Sequence, residues 1–193
     1  MTRVIGLAGP PGAGKSTLAA RMADAAAGSA VVVPIDGFHF SNAALELRGL
    51  AGRKGAPDTY DVDALVALLV RLREPGRDAL TAPAYSRDLH EPVKDAIAVP
   101  AGVRVVIVEG NYLGLLRDGW ERVRPLLDDL WFLDVPWAVT RARLIARRVT
   151  TGRDRADAVA WVDRVDRAND EVIRATSPAA NRLLTDGETP AVP

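Results

Sequence analysis

Cysteine is absent from all 193 residues, which excludes disulfides and thiolate metal sites and leaves the redox compartment undetermined by that count. Net charge is absent as well. Twenty-five basic residues balance 25 acidic ones, so no global field draws nucleic acid or an anionic membrane to the surface, and neither partner is expected. Any cationic site must be local. No apolar run reaches about 18 residues, and Met1 leads straight into an apolar strand without a charged region or cleavage site; a cytoplasmic location is the resulting expectation. Lysine is scarce, with Lys15, Lys54 and Lys94 standing against 22 arginines. Arginine suits bidentate phosphate contacts, although an Arg- and Ala-rich chain also matches a GC-rich genome. With 48% apolar and 26% charged residues, the chain can close one substantial core but is short for two domains, so a single domain over residues 1–193 is expected. A homodimer is left open.

Against this background one stretch stands out. Gly9-Pro-Pro-Gly-Ala-Gly-Lys-Ser16 fits G-x-x-x-x-G-K-[ST] directly after the apolar run of residues 4–8, the required context of a phosphate-binding P-loop. Glycines at Gly9, Gly12 and Gly14 let the backbone, with Pro10, Pro11 and Ala13, point successive N–H groups inward as a nest for phosphate oxygens at a helix start. Lys15 adds charge for the β- and γ-phosphates of ATP. The Ser16 hydroxyl is the expected protein ligand of the accompanying Mg2+, and Thr17 supports the first helical turn.

Strands and helices alternate along the chain. Apolar runs at 4–8, 30–35, 103–108 and 130–135, with a last strand at 182–185, predict a parallel sheet with helices on both faces, an α/β fold. Asp61 reads as the N-cap of a helix whose Leu65, Leu68, Leu69 and Leu72 recur at helical spacing. Residues 79–85 and 97–99 predict a small antiparallel flap spanning 79–100 around the polar segment 86–95, with Pro83 suited to an edge. A helix over 137–149 carries Arg141, Arg143, Arg147 and Arg148, and the region 141–155 is expected to form a lid. A further helix is predicted over 155–175, and 187–193 reads as a frayed tail.

Phosphoryl transfer needs held nucleotide, magnesium, an oriented hydroxyl and positive charge around the moving group. Asp36, just past the second strand where ligands sit in open α/β sheets, can take the acceptor's proton; its alternative is a turn aspartate before Gly37. Glu109 ends a buried strand, a costly place for a carboxylate unless it holds magnesium or a structural partner. Arg143 and Arg147 lie four apart on one helical face, and one or two of the Arg cluster are expected to reach phosphate.

These residues resemble a known family. Gly9 to Ser16, Ile35-Asp-Gly-Phe-His39, Arg53-Lys-Gly-Ala-Pro-Asp-Thr-Tyr-Asp61, Pro83-Ala-Tyr-Ser86 and Val106-Ile-Val-Glu-Gly110, in this order, are similar to the P-loop kinases that include uridine kinase, type I pantothenate kinase and phosphoribulokinase. The resemblance implies a five-stranded parallel P-loop NTPase sheet, ATP with Mg2+, and transfer of the γ-phosphate to a small-molecule hydroxyl. By motif position it implies Asp36 as catalytic base, Glu109 as the acidic residue after the third strand, and Arg147 or Arg148 as the lid arginine. The chain departs from the pantothenate kinase pattern in having Arg87 two residues after Tyr85, and it matches the uridine kinase pattern only in Tyr85 with His90. The resemblance is best to a smaller branch linked to nucleoside or sugar phosphorylation.

For the acceptor, His39, Lys54, Tyr85, Arg87, His90 and Tyr112 come from four segments that follow strand ends or lie in the flap, and they are expected to line one pocket. Its polar, aromatic and cationic character suits a nucleoside or sugar, with pantothenate as the alternative. A nucleotide-driven switch ATPase is the rival class. It is opposed by the absence of N-K-x-D, since none of the three lysines follows an Asn, and of an Asp-Glu pair ending the third strand.

Overall fold

The computed structural model describes residues 2–192. Five parallel strands form the central sheet: β1 (Arg3–Ala8), β2 (Ala30–Pro34), β5 (Val105–Glu109), β6 (Asp129–Asp134) and β7 (Arg182–Thr185). Their spatial order is β2-β5-β1-β6-β7. The register sets Leu7 against Glu109 and Pro34 against Glu109, so the carboxyl ends of β1, β2 and β5 finish together at one rim. This is the expected five-stranded α/β sheet.

Strand alternation distributes β1 between two cores. Val4 and Ala8 join Leu65, Leu68, Leu69 and Leu72 of α3 (Val62–Leu72) on one face, whereas Ile5 and Leu7 join Leu18, Ala19 and Met22 of α1 (Lys15–Ala25) on the other. The four leucines of α3 form the stripe that the spacing predicts, each contributing about 1.5–3 kcal/mol through burial. Asp61 caps this helix by accepting from the Ala64 N–H at 2.9 Å. A short helix, α2 (Asn42–Leu47), is capped by Ser41.

The flap is larger than expected. β3 (Leu80–Ser86) pairs antiparallel with β4 (Glu91–Val99), so most of the polar segment 86–95 is strand rather than loop. Polar residues fit there because a two-stranded ribbon leaves much of β4 exposed. Leu80, Ala82 and Val99 anchor its base in the core. The ladder shifts register between Ala82 and Ala84, at Pro83, which has no N–H to donate. The middle of β3 backs onto the turn after β2: a Cβ at Gly37 would lie 2.2 Å from the Pro83 carbonyl oxygen, so only glycine permits that approach.

Two further expectations are revised. The single helix over 155–175 is α5 (Arg155–Trp161) and α6 (Arg167–Arg174) joined by a π-helical turn at Val162–Asp166, and both Asp166 and Asp170 are buried beside arginines. The segment 187–192 is packed rather than frayed. Glu188 accepts from Arg182, Pro190 is buried, and Val192 packs on the α1-side core; Pro193 lies outside the described residues. Among the described residues, no helix is long and apolar enough to cross a membrane.

Candidate active site

The P-loop connects β1 to α1 through backbone that only glycine adopts freely. Gly12 (φ 77°) and Gly14 (φ 99°) are left-handed, and a Cβ on Gly12 would lie 2.9 Å from the Thr140 carbonyl oxygen of α4 (Trp137–Thr150). Gly14 is the N-cap of α1 and no side chain caps the helix. Its first N–H groups therefore stay available to an anion.

Lys15 is buried, and its ammonium donates to the carbonyls of Gly9 (2.9 Å) and Pro10 (3.0 Å) and to Asn111 Oδ1 (2.6 Å). Burial lowers its pKa to about 8, against the opposing pull of the Glu109 and Asp36 carboxylates, and the Arg147 charge adds to the lowering. Ser16 donates its hydroxyl proton to Glu109 Oε1 at 2.7 Å. Burial pushes the Glu109 pKa up, while the Lys15 charge and the Ser16 bond hold it down. The cost of placing a carboxylate at the end of a buried strand is thus offset by two P-loop side chains.

Asp36 sits in a 3-10 turn, Ile35–Phe38, since β2 ends at Pro34, one residue earlier than expected. Tyr60 donates to Asp36 Oδ1 at 3.3 Å. Burial foremost, and then the Asp36 charge, hold the Tyr60 phenol well above its ordinary pKa, so it stays a donor.

A cleft of about 330 Å3 brings together Asp36, Lys15, Ser16, Glu109, Arg87 and Arg147. Pro11, Gly12, Gly14, Thr17, Asn111 and Arg143 complete its polar wall. Gly9, Pro10 and Ala13 take part through their carbonyls, which accept from Lys15 and, in the case of Ala13, from Arg143 at 3.2 Å. Arg143 also pairs with Asp186 at 2.7 Å, tying α4 to the loop after β7.

The expected acceptor pocket is only partly assembled. Of its six residues, Arg87 alone lines the cleft. His39, Tyr85 and Lys54 form a neighbouring cluster, with the Tyr85 ring 5.5 Å from His39 and 5.2 Å from the Lys54 ammonium. His39 joins this cluster to Asp36: its ring lies 3.9 Å from the Tyr60 ring and its Nδ1 lies 2.9 Å from the Asp36 carbonyl. It also lines a separate groove of about 410 Å3 between α3 and the flap.

Three residues take other places than expected. His90 is exposed in the flap turn at φ 52°, and its carbonyl, rather than its ring, is engaged, by Lys54 Nζ at 2.6 Å. Tyr112 is buried, donates to the Gly55 carbonyl at 2.7 Å and packs edge-on to Tyr60, which makes it a wall of the core. Arg148 turns from the cleft to Asp166 (3.3 Å) and lies over the Trp161 ring, leaving Arg147, with Arg143, to line the cleft from α4. The same helix geometry that puts Arg143 and Arg147 on one face sends Arg148 to the next.

Asn111 and Tyr60 were not singled out by the sequence. Asn111 had a usable signal, because it follows Glu109 and Gly110 at the same strand end. Tyr60 lies inside the segment 53–61, but its partner is 24 residues away and nothing local announces the contact.

The family model described as Phosphoribulokinase / Uridine kinase family matches residues 4–189. A Schizosaccharomyces pombe protein described as a "putative uridine kinase" is 34% identical over 192 residues, spanning 95% of this chain and 80% of that protein. A pantothenate kinase of Nocardioides sp. is 41% identical over 112 residues, spanning 55% of this chain and 34% of that protein. The crystal structure of a "putative fructose transport system kinase" from Silicibacter sp. superposes with a TM-score of 0.86 at 37% identity, over 95% of this chain and 89% of the other.

Proposed function

The chain belongs to the phosphoribulokinase/uridine kinase family and is an ATP-dependent phosphotransferase with an alcohol group as acceptor; from that premise we propose that the acceptor is a small sugar or nucleoside and that Asp36 takes its proton. The observation that carries this reading is the shared cleft, in which a carboxylate after β2 lies with the P-loop lysine and three arginines. The acceptor O–H bond breaks toward Asp36 as its oxygen bonds to the γ-phosphorus. The bond from that phosphorus to the β–γ bridging oxygen breaks as the new one forms, and its electron pair leaves on the β-phosphate oxygen of ADP. Tyr60 orients the carboxylate, and Lys15 with Arg147 meets the charge on the moving phosphoryl group. Magnesium fits the donor set, since the Ser16 hydroxyl and the Glu109 carboxylate offer hard oxygens at the mouth of the phosphate nest. When bound it supplies positive charge to the β- and γ-phosphates.

A sugar is favoured over a nucleoside. No aromatic side chain lines the cleft, and Tyr85, the ring that would stack on a base, is flanked by Lys54 and His39. Arg87 in the cleft wall supports a second reading, an acceptor bearing a carboxylate such as pantothenate. Family membership as a metabolic kinase removes the switch ATPase alternative.

The test is ATP turnover on a panel of fructose, ribulose 5-phosphate, uridine, cytidine and pantothenate. Turnover that requires fructose or a nucleoside supports the reading. Turnover on pantothenate alone, lost in Arg87→Ala, replaces it with the second.

A further inference from the structure

We propose that Asn111 is a placeholder for nucleotide phosphate, a positioning residue whose side-chain carbonyl holds the Lys15 ammonium and gives it up when phosphate arrives. The inference rests on the reading of Lys15 as the ligand of the β- and γ-phosphates. An ammonium has three donors, and all three are taken by protein oxygens: Gly9 O at 2.9 Å, Pro10 O at 3.0 Å and Asn111 Oδ1 at 2.6 Å. None remains for a ligand. Lys15 can contact phosphate only by releasing one of them.

The two backbone acceptors are poor candidates for release. Gly9 is wedged so closely against β6 that a Cβ would lie 2.7 Å from the Leu133 carbonyl, and the Pro10 carbonyl also accepts from the Ala13 N–H at 3.2 Å within the loop. Asn111 differs in kind. Its contact is a side chain with two rotatable bonds, it follows Gly110, and it already lines the cleft. The chemistry of the amide matters too. A neutral acceptor satisfies a buried ammonium that would otherwise be costly to leave unpaired, yet it attracts that charge less than a phosphate oxygen does. A carboxylate at position 111 would bind the ammonium as an ion pair and contend with phosphate. The same strand end also occupies the other polar P-loop side chain, because Glu109 accepts from Ser16. Glu109 and Asn111 together thus keep the P-loop satisfied until nucleotide replaces them.

In this arrangement Asn111 stabilises the empty enzyme against the nucleotide-bound one, so it weakens ADP binding and speeds ADP departure after transfer. Binding of Mg-ADP to the full chain, measured by calorimetry without any acceptor, tests this directly. Asn111→Ala should tighten ADP roughly two- to tenfold, the worth of one hydrogen bond lost from the empty state alone. Asn111→Asp should weaken it about tenfold or more, and Asn111→Gln, which keeps an acceptor, should fall nearest the wild type. With an acceptor present, Asn111→Ala should lower kcat and the KM for ATP together, whereas a residue that merely supports the fold would not tighten binding. Unchanged or weaker ADP binding by Asn111→Ala, or unchanged binding by Asn111→Asp, overturns the proposal. Lys15→Ala separates it from its premise. Loss of ADP binding there with no change in Asn111→Ala removes the placeholder alone; wild-type binding by Lys15→Ala removes the phosphate-lysine reading and the placeholder with it.

Discussion

The nucleotide side and the acceptor side of this cleft are built on different principles. On the nucleotide side, contacts run between neighbours in sequence or from the first turn of α1 to the end of β5, which pairs in register with β1: Lys15 to Gly9 and Pro10, Ser16 to Glu109. On the acceptor side, side chains from distant segments reach one another across loops, as Tyr60 reaches Asp36 and Lys54 reaches His90. The first is a backbone device that any phosphate satisfies. The second depends on which side chains the loops deliver, and this is where relatives of one fold can differ in acceptor. Mutations on the two sides should accordingly separate into those that abolish transfer and those that retune it.

The largest effect is expected from Lys15→Ala. Loss of charge at the β- and γ-phosphates should lower kcat/KM by several kcal/mol of transition-state stabilisation, and a folded variant with wild-type turnover would break the comparison outright. Asp36→Asn comes next. It keeps shape and loses basicity, so turnover should fall roughly 10²–10⁴-fold while ATP affinity stays near wild type in a direct binding titration. Collapse of ATP affinity instead would move Asp36 to the nucleotide side. Glu109→Gln should shift the magnesium titration to higher concentration with little change in acceptor KM, and an unchanged titration would remove Glu109 from the metal.

A smaller effect should appear in pH dependence. The Lys15 pKa in the empty cleft is about 8, below its ordinary 10.5, and the protonated form is the one that binds phosphate. ATP affinity should therefore be flat below pH 8 and fall above it, approaching about tenfold per unit, until nucleotide no longer restores the proton. The sign for stability is opposite. Burial of the ammonium penalises the unliganded fold below pH 8, and the penalty fades between 8 and 10.5. ATP titrations and thermal melts from pH 7 to 10 read both; affinity that rises with pH would contradict the assignment. The smallest effect belongs to Lys54→Ala, which frees the flap turn from the loop carrying Lys54. It should raise the acceptor KM a few-fold and leave ATP KM unchanged, consistent with the loss of two hydrogen bonds at a partly exposed site, to Asn42 Oδ1 and the His90 carbonyl. A change in ATP KM of the same size would blur the two sides.

The same division explains what could be read from the sequence. Glycine spacing encodes the P-loop because Gly12 and Gly14 need left-handed backbone at fixed offsets, and continuous apolar runs encode strands buried on both faces. Asp36 and Glu109 could be found because a carboxylate just beyond such a run has few reasons to be there. Arg147 could not be separated from Arg148, because their directions depend on how α4 settles, through Leu144 and Ile145, against Ala158 and Val162, which is a tertiary fact. Tyr112 misled for a related reason. A tyrosine can be fully buried if its hydroxyl finds a carbonyl, and Gly55, 57 residues away, provides one. His90 was placed correctly in the flap, but its left-handed backbone presents the carbonyl inward and leaves the side chain exposed.

The missing side chain at Gly37 joins two parts of the molecule into one packing problem. Because the Pro83 carbonyl rests directly against this glycine, β3 is the back wall of the turn that carries Asp36. A methyl group at position 37 would have to push β3 off that turn or the turn off the sheet rim, so Gly37→Ala should disturb Asp36 and the flap together.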